Sequence, residues 1–438
     1  MKKNSMRLLV AVGLIVLVLC SWYTMFNDMK KENDAYMLQL NTARAKAEQG
    51  LYEVALEHYS LAMEQRDSIE LRDEIAQVYQ DNAGTSSYES FCEDIVADYP
   101  LEIKGYERLA TLYRDTQAYD TCFNIIETAQ KRGLTSDILV NIASELAYTY
   151  DLGRSAAIDV TVFSSGYCAV QYKSNYWGFV NTRGTTVVSG PYSKVAPFTS
   201  SGLGVVFLEN GRVALVDTVG TQRSITPEGL VVEDCTPLLS GKLAVKYDGK
   251  YHYCDANFQE LFGSYDYAGS FYDGVAAVME GGKWGVIDEE GNNITGFVFD
   301  DIKMDDKGIS FRGDRGFAKK GDSYILIDSK GNQIGNGSWQ DVDAFNADLV
   351  AAVLRGDKWG FVNSDGSVVV DYQFDNAQSF ANGLAAISVD DKWGYISIED
   401  YQIKIEPLFY EARDFSAGGT AFVKEGEKWR LLRIYRLT

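Results

Sequence analysis

The sequence predicts a membrane-anchored, multidomain protein in which an all-α helical repeat solenoid is followed by an all-β repeat domain. Three observations predict this. An uncharged apolar run opens the chain, Ala, Leu and Tyr then recur at three- and four-residue spacing, and a Trp-Gly hexamer recurs after that. For the β domain we favour a β-propeller, and a β-solenoid or an extended β array is the alternative.

These patterns divide the chain into four segments. They are a basic cytoplasmic tail (1–7), a transmembrane signal-anchor helix (8–26), helical repeats with a capping helix (33–150) and a β domain of about eight units (154–438).

The length and charge of the chain restrict the class of protein. Its 438 residues, 46% of them apolar, suffice for two or three domains with sizeable cores. Residues 1–32 carry five Lys/Arg and two Asp/Glu, residues 33–150 carry nine and 21, and residues 151–438 carry 27 and 39. Because both repeat regions are acidic, nucleic-acid phosphates repel them, and we expect no nucleic-acid partner.

The apolar run has the features of an uncleaved membrane anchor. It reads LLVAVGLIVLVLC over residues 8–20, follows Lys2, Lys3 and Arg7, and precedes Trp22 and Tyr23. A small-x-small cleavage site is missing, and Leu19 stands before Cys20 where a lipobox has a small residue. The charges predict a cytoplasmic N-terminus, with the bulk of the chain outside the cytoplasm.

Residues 33–150 have helical period and repeat. Small residues recur at Ala43, Ala76 and Ala110, steps of 33 and 34 residues. With their neighbours they resemble the tetratricopeptide repeat, although its signature Trp and first-helix Gly are absent. The residues on the helical packing positions are Ala55, Tyr59, Ala62, Ala76, Tyr79, Ala110, Tyr113 and Ala129. The resemblance implies a concave groove that binds a peptide or protein, and a rigid spacer between membrane and head is the alternative.

Beyond Gly153, strand-like runs separated by Gly- and Asp-rich turns replace the helical period. The hexamer appears as YWGFVN, KWGVID, KWGFVN and KWGYIS, with four weaker copies. The steps between the Trp-equivalent positions are 36, 38, 33, 40, 35, 34 and 36 residues. The residues that carry this signature are Trp177, Gly178, Trp284, Gly285, Trp359, Gly360, Trp393, Gly394 and Trp429.

This pattern resembles the bacterial WG-repeat family, named for its recurrent Trp-Gly. The resemblance extends over residues 154–438 and implies a repeat fold but no particular ligand. A ring is favoured over an open array because the last copy stops before its later strands. We expect residues 155–163 to supply the missing strand and close the ring.

Glycine in the middle of a strand is costly unless another group must approach closely. We therefore expect the indole of one unit to pack over the bare glycine of an adjacent unit. Replacing Gly285 by Val is then expected to destabilise the β domain.

Few residues point to chemistry. His58 and His252 are far apart in sequence, and no nucleotide-binding or nucleophile motif occurs. The acidic residues fall mainly in turns, where Asp and Asn serve the backbone. The five cysteines after Cys20 are expected to be buried free thiols. We predict no catalytic, cofactor-binding or metal-binding residue; the signature tryptophans are expected in blade cores, and Trp339 is the candidate exposed aromatic.

These observations favour a non-enzymatic scaffold at the outer face of a bacterial cytoplasmic membrane. Its membrane contact is the N-terminal helix, and its partners are proteins or peptides bound by the repeat domains. A lectin-like protein that binds envelope glycans is the alternative. An extracytoplasmic hydrolase ranks third, since it requires acidic residues clustered at one mouth of the propeller.

Overall fold

The structure, a computed structural model, describes residues 2–82 and 84–435, and the side chains of residues 2–18 and of residue 155 lie outside the described set. The chain divides into two units. Residues up to Ala147 form the helical unit, and residues from Tyr148 form the β unit.

Seven helices form the described part of the helical unit. They are α1 (Lys2–Glu48), α2 (Tyr52–Gln65), α3 (Ile69–Asp81), α4 (Thr85–Asp98), α5 (Ile103–Asp115), α6 (Tyr119–Lys131) and α7 (Asp137–Leu146). The anchor segment and the first repeat helix are one helix, because neither Gly nor Pro interrupts the chain between Gly13 and Gly50. Ser68 and Ser136 cap α3 and α7 by accepting the backbone N–H of Leu71 and Leu139.

The helical packing positions lie in the core between the helices. Ala55, Ala62, Ala76, Ala110 and Ala129 are fully buried. Tyr59 and Tyr113 are buried as well, and Tyr79 is half-buried against Phe91, with ring centroids 5.1 Å apart. Small residues at these positions let paired helices approach, and the aromatic side chains fill the space between pairs.

Residues 8–18 of the predicted anchor lie outside the residues whose side chains are described. Within the described part of the chain, no helix is both long enough and apolar enough to cross a membrane. The described residues that follow on α1 nevertheless expose Leu19, Trp22, Tyr23, Met25 and Phe26 to solvent.

In the part of the chain that the structure describes, the β unit contains 30 strands in eight sheets. The first strand is β1 (Tyr150–Ala157). Blades 1 to 4 follow: β2 (Asp159–Val160), β3 (Tyr167–Lys173), β4 (Tyr176–Asn181) and β5 (Thr186–Tyr192); β6 (Val195–Ala196), β7 (Leu203–Phe207), β8 (Val213–Asp217) and β9 (Gln222–Ile225); β10 (Asp234–Cys235), β11 (Leu243–Tyr247), β12 (Lys250–Cys254) and β13 (Glu260–Tyr265); β14 (Tyr267–Ala268), β15 (Val275–Glu280) and β16 (Lys283–Asp288).

Blades 5 to 8 repeat the same order. Their strands are β17 (Asp301–Ile302), β18 (Gly316–Lys320) and β19 (Ser323–Ile327); β20 (Asp341–Val342), β21 (Val350–Arg355), β22 (Lys358–Asn363) and β23 (Val368–Phe374); β24 (Asn376–Ala377), β25 (Leu384–Val389), β26 (Lys392–Ser397) and β27 (Ile403–Phe409); β28 (Glu411–Ala412), β29 (Thr420–Glu425) and β30 (Lys428–Ile434). Blades 4 and 5 have three strands because their outer segments form only isolated bridges.

The blades close into an eight-bladed β-propeller. β1 pairs antiparallel with β30 and becomes the outer strand of blade 8. Phe422 and Trp429 of blade 8 pack with Val160 and Val170 of blade 1, so the hydrophobic contacts also run from the last blade to the first. The closing strand is residues 150–157, earlier than the expected 155–163, because Tyr150 and Leu152 pack into the core of blade 8.

The glycine of each Trp-Gly pair makes room within its own blade, so the expected indole partner from an adjacent unit was wrong. A Cβ on Gly285 meets the carbonyl oxygen of Gly296 at 2.7 Å, and one on Gly360 meets that of Val370 at 2.7 Å. Both carbonyls belong to the outer segment of the same blade. In blade 6 the pairing of β22 with β23 is shifted between Trp359 and Phe361, a bulge that brings the outer backbone onto the glycine.

The tryptophan of each pair lies between its own blade and the next. Trp284 packs with Ile302 and Phe311 of blade 5, and Trp359 packs beside residues of blade 7. Trp339, the candidate exposed aromatic, is only 2% exposed. It bridges Tyr324, the Trp-equivalent residue of blade 5, and its indole N–H donates to the hydroxyl of Tyr372 at 3.1 Å. The prediction for Trp339 was therefore wrong.

Candidate functional site

The short inner strands of the blades surround a central channel that holds two cavities. Cavity A, about 350 Å³, is lined by blades 5 to 8 and blade 1. Cavity B, about 420 Å³, is lined mainly by blades 1 to 5. Met304, Asp305, Asp306, Lys307 and Arg413 line both cavities and therefore form the wall between them.

Most of this wall is an insertion in blade 5. Nine residue steps separate Ile302 from Phe311, whereas three separate the equivalent Val342 and Phe345 of blade 6. We call the inserted segment, residues 304–309, the partition loop. It also accounts for the longest step between Trp-equivalent positions, the 40 residues from Trp284 to Tyr324.

The base of the partition loop is fixed. Oδ1 of Asp305 accepts the backbone N–H groups of Lys307 and Ile309, both at 2.9 Å, which closes a tight turn. Oδ2 of Asp305 accepts from Nη2 of Arg312 at 2.6 Å, and each side chain is only 9% exposed. Ser270 of blade 4 donates its hydroxyl to the carbonyl of Lys307 at 2.6 Å. The loop is thus tied to the propeller on both sides of its tip.

The tip of the loop carries charges without counter-ions. Asp306 and Lys307 form no ion pair with any described residue. Burial within the channel raises the pKa of Asp306, although its side chain still meets solvent, and the nearby Arg413 partly offsets this rise. Burial lowers the pKa of the Lys307 ammonium, against the attraction of Asp305. Each group is thus less stable in its charged form than in water.

Two further carboxylates line cavity A. Asp343 accepts the backbone N–H of Ser379 at 2.7 Å and that of Ala344 at 3.0 Å, and burial raises its pKa. Asp414 accepts from Nδ2 of Asn346 at 2.9 Å. Burial, followed by repulsion from Asp343 and Asp306, raises the pKa of Asp414 to about 7.

Arg413 is the second cation in the lining of cavity A that has no carboxylate partner among the described residues. Its guanidinium lies over the Trp429 ring, 4.6 Å from the centroid. Its Nε is buried and has no hydrogen-bond partner in the described structure. Tyr395 donates to the Arg413 carbonyl at 2.8 Å, which fixes the backbone at this position.

These charged residues depart from the repeat. The position of Asp414, directly before the core aromatic or leucine of each blade, is small or apolar elsewhere. The equivalent residues are Val162, Pro197, Pro237, Ser270, Ser310, Ala344 and Ser379. Packing between blades therefore does not require a carboxylate there, which makes Asp414 a candidate functional residue.

The cavity B side of the channel contains an ion pair between two blades. Nζ of Lys194 lies 2.5 Å from Oδ1 of Asp234, and Tyr251 donates its hydroxyl to the same carboxylate at 2.7 Å. Asp306, Lys307 and Arg413 line both cavities, but Asp343 and Asp414, which form no ion pair with any described residue, line cavity A alone. Cavity A is therefore the better candidate for a ligand site.

None of the residues singled out from the sequence lines cavity A. Trp177 lines cavity B. Trp177, Trp359 and Trp393 are half-buried and Trp284 and Trp429 are buried. His58 contacts Gln39 and His252 contacts Glu260, with neither histidine in a cavity wall. The cysteines after Cys20 are buried free thiols, as expected. Among the described residues, no group of three or more His, Cys, Asp or Glu is arranged to hold a metal ion.

Sequence reasoning missed the channel site, although two signals pointed to it. One is the 40-residue step in blade 5. The other is Asp414, a charged residue at a position that is small or apolar in the other seven copies. A hydrolase was argued to require acidic residues clustered at one mouth of the propeller, and no catalytic residue was predicted. The structure places Asp306, Asp343 and Asp414 together in the lining of cavity A, within the channel.

The fold places the protein among β-propeller repeat proteins with an N-terminal helical array. A family model described as "WG containing repeat" matches residues 177–211, 263–284, 284–322, 359–393 and 393–429. The chain thus contains WG repeats, and the matched repeats lie in the blades of the propeller.

Solved structures give further comparisons. The chain is 10% identical to BamB from Moraxella catarrhalis, covering 64% of this chain and 99% of that one with a TM-score of 0.44. It is 8% identical to the WD40 domain of SCAP from fission yeast, covering 65% and 98% with a TM-score of 0.43. No curated protein matches the chain in sequence.

Proposed function

We propose that this protein is a non-enzymatic scaffold at the outer face of a bacterial cytoplasmic membrane, where its repeat domains bind protein partners. The observation that carries the proposal is the concentration of unpaired charge in cavity A, at positions that the propeller does not need for folding. A WG-repeat propeller with such a cavity fits a protein-interaction scaffold.

The membrane attachment rests on the sequence of α1. Residues 8–20 are uncharged and apolar, and basic residues precede them. The exposure of Trp22, Tyr23 and Phe26 supports the proposal, because such side chains suit a membrane interface.

Protease added to spheroplasts that carry a C-terminal tag tests the topology. Loss of the tag, with cytoplasmic proteins intact, supports an outward-facing propeller. A protected tag places the repeats in the cytoplasm and overturns this part of the proposal.

Partner binding is tested by site-specific photo-crosslinking in living cells. Ala347 and Ala417 line cavity A and are exposed, so a photoreactive residue at either position reports on its mouth. Val219, 76% exposed in the outer turn of blade 2, is the matched control. A discrete protein adduct from the cavity positions but not from Val219 supports binding there. Equal adducts from all three positions, or none, contradict it.

Glycan binding is the second candidate function. The signature tryptophans pack between blades, so the support for glycan binding comes from cavity A. Asn346, Gln378 and Asn382 supply polar side chains there. Binding to an envelope glycan on an array, lost in Asp414→Asn, favours this function over the scaffold.

One observation also favours a hydrolase. Asp414, with a pKa of about 7 beside other carboxylates, has the character of a general acid. Hydrolysis of a fluorogenic glycoside or peptide by the full chain, lost in Asp414→Asn, would establish catalysis and refute the non-enzymatic scaffold.

A further inference from the structure

The charges that face cavity A are not balanced. Asp305 is paired with Arg312, which leaves the carboxylates of Asp306, Asp343 and Asp414 facing the ammonium of Lys307 and the guanidinium of Arg413. Asp343 accepts hydrogen bonds from uncharged groups of Ser379 and Ala344, and Asp414 accepts one from the neutral amide of Asn346. Without a ligand, the lining therefore has one carboxylate more than it has cations.

The residues that line the channel do not by themselves stabilise these carboxylates as anions. Burial and the like charges of Asp343 and Asp306 raise the pKa of Asp414. The positive charge of Lys307 offsets this rise only in part. A cation in the cavity lowers the free energy of all three carboxylates at once. An anion, by contrast, adds to the repulsion that the cavity already contains.

The surroundings favour the same sign of ligand. Residues 151–438 carry 39 Asp/Glu and 27 Lys/Arg, so the field of the propeller attracts cations toward the channel. The size of the cavity, about 350 Å³, is at the lower end of the range for small-ligand sites and admits one amine or guanidinium on an aliphatic stem.

We propose that cavity A binds a single ammonium or guanidinium group, held by the carboxylates of Asp414 and Asp306 beside the partition loop. The group comes either from a lysine or arginine side chain of a partner protein or from a free small amine. The inference does not depend on the scaffold proposal, because a free amine satisfies the cavity as well as a basic side chain does.

Isothermal titration of the full chain in detergent, at about pH 8, tests the site. The probes are n-butylammonium and n-butylguanidinium, with n-butanol as the uncharged control and butyrate as the anion. We expect saturable binding of at least one cation and none of the controls. No binding of either cation up to about 10 mM, or tighter binding of butyrate, overturns the proposal.

Three variants separate the site from the general field of the protein. Asp414→Asn keeps an acceptor for Asn346 and is expected to weaken cation binding about tenfold or more. Asp322→Asn removes the same charge in an exposed turn between β18 and β19 and is expected to leave binding unchanged. Lys307→Met removes the resident cation and is expected to strengthen binding several-fold, a gain that structural damage does not produce. Equal losses in Asp414→Asn and Asp322→Asn refute the site.

The dependence on pH gives an independent readout. The charged groups around Asp414 are Asp343 of blade 6, Asp306 and Lys307 of the partition loop, and the adjacent Arg413. Because Asp414 takes up a proton near pH 7, cation affinity is expected to fall roughly tenfold from about pH 8 to about pH 6. An affinity unchanged by pH, or one that rises as pH falls, contradicts the assignment.

The source of the cation follows from a second pair of probes. The end-blocked tripeptide Gly-Arg-Gly is compared with butylguanidinium and with its citrulline analogue. Equal or tighter binding of the arginine peptide indicates a protein side chain, and much weaker binding indicates a free amine. Cation binding without any crosslinked partner at Ala347 or Ala417 refutes the scaffold but not the cation site, and the reverse result refutes the cation site alone.

Discussion

Between neighbouring blades a lysine and an aspartate form an ion pair at the surface, whereas several charged residues of both signs that line cavity A form none. Lys283 of blade 4 donates to Oδ1 of Asp300 at 2.5 Å, and Oδ2 accepts the backbone N–H of Gly321 in the next blade at 2.8 Å. Lys358 and Asp375 form the same arrangement two blades later, in blade 6. In the channel, Asp306, Lys307 and Arg413 have no such partners among the described residues.

The difference separates residues that make the fold from residues that use it. Lys283 and Lys358, each the first residue of a KWG hexamer, tie one blade to the turn of the next through an aspartate. The channel charges occur once and raise the free energy of the folded state. Departures from a repeat that cost stability are typical of functional positions. Four experiments test whether the paired residues stabilise the fold and the unpaired channel residues destabilise it.

The largest effect is expected from the one paired charge of the partition loop. Asp305→Asn keeps the acceptor of the tight turn but leaves buried Arg312 without its counter-ion. The free energy of unfolding of the propeller is expected to fall by about 3–5 kcal/mol. It is measured by urea unfolding with Trp fluorescence, since Trp22 alone among seven tryptophans lies outside the propeller. The double variant with Arg312→Met should recover much of the loss, and no recovery contradicts the ion-pair explanation.

The next largest effect concerns Asp414 and depends on pH. Its raised pKa means that the folded protein holds the proton more tightly than the unfolded chain does. Its contribution is therefore full below its ordinary pKa of 3.8 and is lost as pH rises through about 7. At about pH 8, Asp414→Asn is expected to stabilise the ligand-free propeller by on the order of 2–4 kcal/mol. The gain should shrink toward pH 4, and Asp322→Asn should show no such trend.

A smaller effect is expected from the blade wall. Gly285→Ala places a Cβ 2.7 Å from the carbonyl oxygen of Gly296, and the backbone of the outer segment must shift. The propeller is expected to lose about 1–3 kcal/mol of stability in the same unfolding experiment. Gly418→Ala is the control, because its Cβ meets nothing closer than 3.5 Å. Equal losses in the two variants contradict the close approach within the blade.

The smallest effect is expected from the surface pair between blades. Lys283→Met removes an ammonium that is half-exposed beside an exposed carboxylate. The Tm is expected to fall by no more than about 2 °C, and the difference should vanish in high salt. A large loss that persists in salt shows that the pair contributes more than a surface ion pair.

Much of the fold could be predicted from the sequence because the same pattern of residues recurs in each repeat. The hexamer positions gave the number of units, and the alternation of apolar residues gave the strands, since every blade is buried on both faces. The group that packs against the signature glycine, a carbonyl oxygen of the same blade, could not be predicted from the sequence. It depends on a bulge between the third and outer strands, and pairing register is a property of two segments together.

The aromatic opposite each tryptophan was partly readable. Phe299, Trp339 and Phe374 each lie 15 residues after the Trp-equivalent residue of their blade. That spacing places Trp339 within the repeat and predicts its burial. Its apparent isolation came from comparing it only with the hexamer.

The sequence by itself determined the order of the two repeat arrays, the eight β units and the residues that pack between them. These follow from local periodicity and from the need of each unit to bury its apolar faces against the next. Only the tertiary structure brings together the charged residues of the channel. Asp306, Asp343 and Asp414 lie in different repeats, and they face one cavity because closure of the ring brings the inner strands of all eight blades around a single axis.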